Sequence, residues 1–236
     1  LMPCRAASLP RVVGSLLPQV DRLCVYLNGY DAVPECLRHP KVDVIRSQEA
    51  GDRGDAGKFY RAEEAVDYYL SCDDDLVYPA DYADSLLRPI DRADGGIVAG
   101  FHGSVFQQNG FLRWRRRYPY NADQAEDVPV HILGTGVMGF RADRFPIKRE
   151  IFRAPNMADV WVALLGQHMR MPFVCLAHRR GWIEPILSLW RYSIYEHSIC
   201  RVRGSRLNTS RQVREICRAQ KWAIHKRQDV DRPAGA

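Results

Sequence analysis

The sequence has no run of about 18 uncharged apolar residues, the length a bilayer-crossing helix needs, so no such helix is expected. Its seven cysteines, Cys4, Cys24, Cys36, Cys72, Cys175, Cys200 and Cys217, are odd in number and contain no Cys-x-x-Cys pair. That scatter argues against both a disulfide framework and a zinc knuckle, and a reducing compartment is the expectation. No secretory signal pattern, internal repeat or low-complexity tract is present. With 46% apolar residues in 236, the chain is too apolar to be disordered and too mixed to be fibrous. This length suits one α/β unit.

Charge is unevenly placed. The chain carries 34 Lys and Arg against 28 Asp and Glu, a net of +6. From Arg201 onward there are ten basic and three acidic residues, a net of +7, which leaves residues 1–200 at −1. The basic excess belongs to the tail. Such a segment suits a solvated helix face, an acidic partner, nucleic acid or anionic lipid.

Short strand-like runs alternate with helical stretches, the pattern of an α/β fold with a largely parallel sheet. Strands are expected near Leu23–Leu27, Val42–Ile45, Tyr68–Cys72, Gly96–Phe101, Val137–Phe140 and Phe173–Leu176. The clearest helix starts at Asn156 as N-cap, with Met157, Val160, Trp161, Leu164 and Leu165 on one face. Others are expected over Pro79–Arg92 and from Asn208 to about Ile224. Between Gln107 and Asp127 the pattern fails; Arg113–Arg117 there reads as a long surface loop, of a kind that is often functional, or whose charge is simply solvated.

The most informative stretch is the run Tyr68–Cys72 followed by Asp73-Asp74-Asp75. In an extended segment residues i and i+2 share a side, so Asp73 and Asp75 converge and Asp74 points away. Two convergent carboxylates at the carboxyl end of a strand suit a hard divalent cation that in turn holds a diphosphate. The alternative is an acidic turn that caps the next helix. Aspartate-nucleophile phosphatases also use Asp-x-Asp after a strand, but on the first strand, whereas here it follows two or three.

The segments Leu16–Asp21, Val25–Asp31, Gly51–Tyr60, Cys72–Asp75, His102-Gly103, Leu133–Gly136 and Asn156–Trp161 together resemble bacterial GT-A-fold glycosyltransferases of the capsular or surface polysaccharide type. The later part is also similar to fringe-like β-1,3-glycosyltransferases, with Ala158-Asp159-Val160 where those enzymes have Glu-Asp-Val. The resemblance covers about residues 3–185. It implies a single Rossmann-like nucleotide-diphospho-sugar transferase domain over residues 1–200 with a mixed, mostly parallel central sheet, and a basic helical segment over 201–236.

It further implies a metal-dependent, inverting glycosyltransferase that uses a nucleoside diphosphate sugar, UDP-sugar favoured, and a glycan acceptor. Mn²⁺ or Mg²⁺ would be held by Asp73, Asp75 and His178. Lys58, after a glycine-rich stretch, suits the donor phosphates, with Arg5, Asn28, Asp52, Asp55, Asp73 and Asp74 as further donor contacts. Inversion needs one general base, and Asp159 is the candidate; in the first turn of its helix it serves equally to favour the helix dipole. His102, Gly134, Thr135, Gly136 and Trp182 are the expected acceptor contacts, and the Gly-Thr-Gly stretch equally suits a tight turn. The competing readings are a metal-dependent phosphatase or nucleotidyltransferase and a basic nucleic-acid or membrane-surface module. No nucleic-acid motif accompanies the charge. A cytoplasmic enzyme in peripheral contact with the inner membrane through its basic tail is the expectation.

Overall fold

The computed structural model describes residues 1–106, 114–186 and 220–226. Within them the chain forms α1 (Leu9–Leu16), β1 (Leu23–Leu27), β2 (Val42–Arg46), α2 (Ser47–Ala50), β3 (Tyr68–Cys72), β4 (Leu76–Val77), α3 (Tyr82–Arg92), β5 (Val98–Gly100) and β6 (Gly103–Phe106). Then follow β7 (Trp114–Tyr118), β8 (Val128–Val130), β9 (Ile132–Leu133), β10 (Val137–Arg141), α4 (Ala158–Met169), β11 (Phe173–Cys175) and β12 (Glu184–Pro185). All six expected strands are present, to within a residue or two at their ends.

The architecture is mixed α/β. A five-stranded sheet has the order β3-β10-β5-β11-β8, beside a parallel pair β1-β2, a pair β12-β4 and a three-stranded sheet β7-β6-β9. Here the expectation of a mostly parallel sheet needs correction. β10 lies antiparallel between β3 and β5, and β8 lies antiparallel to β11, so only β5 and β11 pair in parallel within the large sheet. β3, β5 and β11 still run the same way. Hydrophobic runs identify buried strands, but they carry no sign for direction.

Alternation along the strands builds two cores on opposite faces. Val98, Met138 and Phe140 go to one with Phe145, Val162, Ala163 and Phe173. Ala99 and Val137 go to the other with Leu86, Ile90 and Phe101. α3 packs on the second face because Tyr82, Ala83, Leu86 and Ile90 fall on one side of it. It starts at Tyr82, three residues after the expected Pro79, and continues past Pro89.

α4 also differs from expectation. Asn156 does not cap it: Met157 precedes the first turn with no side-chain cap, and Asn156 takes a left-handed φ of 57°. The buried side is Ala158, Val160, Val162, Ala163 and Gly166; of the expected stripe Met157 and Val160 are buried, Leu164 and Leu165 pack half-buried on the same core, and Trp161 is half-buried. The helix is apolar nearly all round, so small residues, which allow closer approach, decide which side meets the sheet; a Cβ on Gly166 would stand 2.5 Å from the Phe173 ring.

Trp114–Tyr118 is a strand paired with β6 rather than part of a loop, with Tyr118 buried, the Arg116 guanidinium over its ring and Arg117 exposed. Residues 220–226 have no helix, so the end of the expected helix to Ile224 is not helical; the rest of that helix and most of the basic tail lie outside the described residues. Trp222 packs on Phe106, ring centroids 4.4 Å apart, and joins the first core. Cys4, Cys24, Cys36, Cys72 and Cys175 are free thiols. Among the described residues no helix is long and apolar enough to cross a membrane.

His131 gives this core a pH dependence. Its ring is buried, accepts the Phe106 N–H at Nδ1 over 2.8 Å and stacks on Phe106. Burial pushes its pKa down to about 4, and His225 adds a smaller push the same way. The unfolded chain therefore takes up this proton first, near pH 6.5. Urea unfolding of the wild-type protein should show stability lost as pH falls from about 7 to 4, and His131→Asn should show a shallower loss over that window.

Candidate functional site

A cavity of about 960 Å³ opens between the β1–β2 pair and the large sheet. Its polar end gathers Arg5, Asp55, Lys58, Asp73, Asp74, Asp75, His102, Gly134, Thr135, Gly136 and Asp159. Eleven positions expected from sequence thus share one space, although they come from the first turn of the chain, the 54–59 turn, the end of β3, the 134–136 turn and the start of α4.

Lys58 and Asp73 form the central ion pair. The Lys58 side chain is only 19% exposed. Burial alone would lower its pKa, but Asp73 outweighs this and holds it well above the usual lysine value. Asp73 is likewise held below the usual carboxylate range: burial opposes ionisation, and Lys58 more than compensates. The backbone around the pair is fixed from three sides. The Tyr69 hydroxyl donates to the Lys58 carbonyl over 2.8 Å. The Asp73 N–H donates to the Tyr78 hydroxyl over 2.7 Å, and that hydroxyl donates to the Gly136 carbonyl over 2.8 Å. Gly136 is required by space: a Cβ there would lie 1.9 Å from Asp73 Oδ2. Gly57 is required likewise, since a Cβ would meet the Tyr26 ring at 2.6 Å, and this contact seats the Lys58 turn on β1.

Strand geometry ends at Cys72, and Asp74 and Asp75 lie in a turn, so Asp74 does not point away as extended backbone would direct it. Both face Arg5, which pairs with Asp74 through Nη1 and with Asp75 through Nη2 at 3.5 Å. The Arg5 side chain is 5% exposed. Ser8 fastens this corner, its hydroxyl bridging the Arg5 and Asp74 carbonyls. Asp75 is left short of positive charge. Burial, then the neighbouring Asp73, push its pKa up to about 6.

Asp159 joins the same polar end from the start of α4. Its Oδ1 accepts both the Thr135 N–H at 2.8 Å and the Thr135 hydroxyl at 2.6 Å; among the described residues Oδ2 accepts no hydrogen bond. The helix that carries it is held from the donor side, because Asp55 Oδ2 accepts the Ala158 N–H over 2.8 Å, the capping role expected of Asn156. Among the described residues Asp55 Oδ1 is buried without a hydrogen-bond partner, and burial raises the pKa of this carboxyl. The contacts close a circuit from Lys58 through Asp73, Gly136, Thr135 and Asp159 to Ala158, Asp55 and back along one turn to Lys58. His102 sits beside it over Gly134, whose N–H donates to the His102 carbonyl at 2.8 Å. Burial lowers the His102 pKa, against the pull of Asp159.

Four expected residues are not brought here. His178 is buried with Nδ1 against the Leu176 carbonyl at 2.7 Å and Nε2 against the Pro119 carbonyl at 3.2 Å, edge-on to Phe101. With both nitrogens turned to backbone oxygens it is no ligand beside Asp73 and Asp75. Trp182 packs on Phe101 and donates to Asp81, away from the cavity lining. Asn28 donates to Asp52, which also caps the Gly54 N–H; this is turn chemistry outside the cavity lining. Sequence reasoning missed Tyr78, Ser8 and Ser71, whose hydroxyl donates to the Thr135 carbonyl. Nothing in their spacing marks them, since each acts through backbone groups distant in sequence.

Among the described residues no group of three or more His, Cys, Asp or Glu side chains is arranged to hold a metal. Asp73 and Asp75 form a two-carboxylate, hard-oxygen set with a deficit of positive charge at Asp75. That chemistry fits Mn²⁺ or Mg²⁺ when phosphate oxygens complete the shell. No protein-family model matches the chain, and no curated protein matches it either.

The raised Asp75 pKa means that its ionised form opposes folding once the pH exceeds about 6, while below about 4 the carboxyl is neutral in both states and this cost is absent. Asp75→Asn should therefore raise Tm by about 2–4 °C at pH 7.5, an advantage that shrinks toward pH 4. Thermal unfolding across that range checks it.

Proposed function

We propose that the protein is a metal-dependent glycosyltransferase that takes a nucleoside diphosphate sugar, UDP-sugar favoured, and transfers the sugar with inversion to a hydroxyl of a glycan acceptor. The observation that carries this reading is the gathering of two differently held carboxylate sets at the polar end of one cavity. Asp73 and Asp75 lie beside two cations, and Asp159 is held through Oδ1 while, among the described residues, its Oδ2 accepts no hydrogen bond.

Bound between Asp73 and Asp75, a divalent cation would supply Lewis-acid neutralisation of the departing diphosphate. The chain's own groups do the rest. Arg5 and Lys58 are buried, permanently charged donors whose carboxylate partners can be shared with, or exchanged for, phosphate oxygens. Gly134 and Gly136 let His102 and the Asp73 carboxylate lie directly against the 134–136 turn, at the edge of the space a sugar would enter. Thr135 fixes Asp159 through Oδ1, and among the described residues Oδ2 accepts no hydrogen bond. A carboxylate held in that way is suited to take the acceptor proton as the hydroxyl attacks the anomeric carbon. His102, kept neutral by burial, can donate to or accept from a sugar hydroxyl without adding charge.

Two measurements test this reading. UDP or a UDP-sugar should raise Tm in the presence of Mn²⁺ and much less in EDTA. Asp159→Asn should retain that shift while transfer falls by about 10²–10⁴-fold. An Asp159→Asn protein with full transfer would remove the base assignment, and the absence of any metal-dependent nucleotide response would remove the reading.

A further inference from the structure

β3, β5 and β11 run the same way and so end at one edge of the large sheet, where open α/β sheets take their ligands. β3 leads there into Asp73, β5 into His102, and β11 into Arg179 and Arg180, both exposed. β7 brings a third arginine to the same edge. Arg117 is opposite Ser104 of β6, and Ser104 is opposite Ile132 of β9, so the three stand in one row on one face of that sheet. His102, two residues before Ser104, falls on the same side, and both His102 and Ile132 line the cavity. Arg117 is exposed at the outer end of this row, on the edge strand. Burial lowers the His102 pKa, and the Arg117 charge pushes the same way against Asp159.

The chain that continues from Arg117 joins the two groups of arginines. Tyr120 is half-buried, with its ring 6.1 Å from that of His102, and it also lines the cavity. His178 Nε2 meets the Pro119 carbonyl at 3.2 Å, and the Arg180 N–H donates to Asp123 Oδ1 over 2.9 Å. The 178–181 turn is thereby held against residues 119–124. The acidic side chains of this corner are engaged by backbone, Asp123 by Arg180 and Asp127 by the Ala177 N–H over 2.8 Å. Among the described residues Arg179 and Arg180 make no ion pair. A guanidinium fork matches a carboxylate or a phosphate, and an aromatic face suits the apolar side of a sugar ring.

We propose that Arg117, Tyr120, Arg179 and Arg180 form the acceptor face of the site and that the acceptor is an acidic glycan, one whose sugars carry carboxylate or phosphate groups. The assignment rests on the glycosyl-transfer reading and deepens it. Arg5 and Lys58 attend to the donor diphosphate, and the arginines of the sheet edge hold a second anion beside His102, where the acceptor enters.

The test titrates the 236-residue protein, with UDP and Mn²⁺ present, into fluorescein-labelled tetragalacturonate or phosphopentamannose and follows fluorescence anisotropy. At least one of the two should bind saturably, without competition from neutral maltotetraose, and which one binds separates carboxylate from phosphate. Arg117→Gln, and Arg179→Gln combined with Arg180→Gln, should each weaken that binding by about three- to tenfold and leave the Tm shift given by UDP and Mn²⁺ unchanged. Binding of neither glycan, equal competition by maltotetraose or by a short DNA single strand, or an equal loss from Arg211→Gln combined with Arg214→Gln in the basic tail would overturn the proposal. If the UDP and Mn²⁺ shift is absent but arginine-dependent glycan binding is present, the reaction falls and the acidic-glycan face stands. If the shift is intact and neither acidic glycan binds, the acidic acceptor falls and the reaction stands.

Discussion

The Lys58–Asp73 pair is the contact on which the remainder of the site depends. Neither charge is comfortable where it lies: Lys58 is largely buried, and the Asp73 carboxylate is pressed against the 134–136 turn so closely that residue 136 has no room for a side chain. Each is kept ionised by the other, and a buried ion left without its partner is costly. The pair is therefore a positional constraint. It fixes the 54–59 turn, which rests on Tyr26 and Tyr69, relative to the end of β3 and hence relative to β10. Tyr78 reinforces the same junction by hydrogen bonds to backbone on both sides.

From that junction the circuit of contacts reaches the start of α4. Gly136 belongs to the turn whose Thr135 holds Asp159, and Asp159 opens the helix whose first free N–H is capped by Asp55, three residues from Lys58. The elements around the polar end are thus registered to one another through polar contacts, while two hydrophobic cores lie on the faces of the large sheet and a third gathers residues of α1, β1 and β2. The cost of this arrangement is visible at Asp55 and Asp75, each a carboxyl whose pKa is raised by burial. Concentrated unfavourable charge of that kind, in a cleft, is what a site that awaits a cation and a polar ligand would be expected to carry. It supports the glycosyl-transfer reading over a purely architectural acidic turn.

How much of this was legible in the sequence follows from the kind of force involved. Strand positions were legible because apolar runs at Leu23–Leu27, Tyr68–Cys72 and Phe173–Cys175 must be buried whatever their partners are. Their directions were not, because β10 inserts antiparallel between β3 and β5 by a tertiary choice. The gathering of Arg5, Asp55, Lys58, Asp73–Asp75, Gly134–Gly136 and Asp159 was legible because charge, glycine and strand end coincide there. His178 and Trp182 were misread because a histidine or tryptophan after a strand is as readily consumed by Leu176, Pro119 and Phe101 as by a ligand. The capping of α4 by Asp55 rather than Asn156 spans 103 positions of sequence. No local rule reaches that far.

The central claim is that Lys58 and Asp73 are energetically coupled and jointly hold the site. A double-mutant cycle on Lys58→Met and Asp73→Asn, read by urea unfolding at pH 7.5, measures that coupling directly. The account predicts that each single change is more destabilising than its share of the double change, with a coupling energy of about 1–2 kcal/mol for this partly exposed pair. Strictly additive effects would contradict it, since the two side chains would then be neighbours without holding one another.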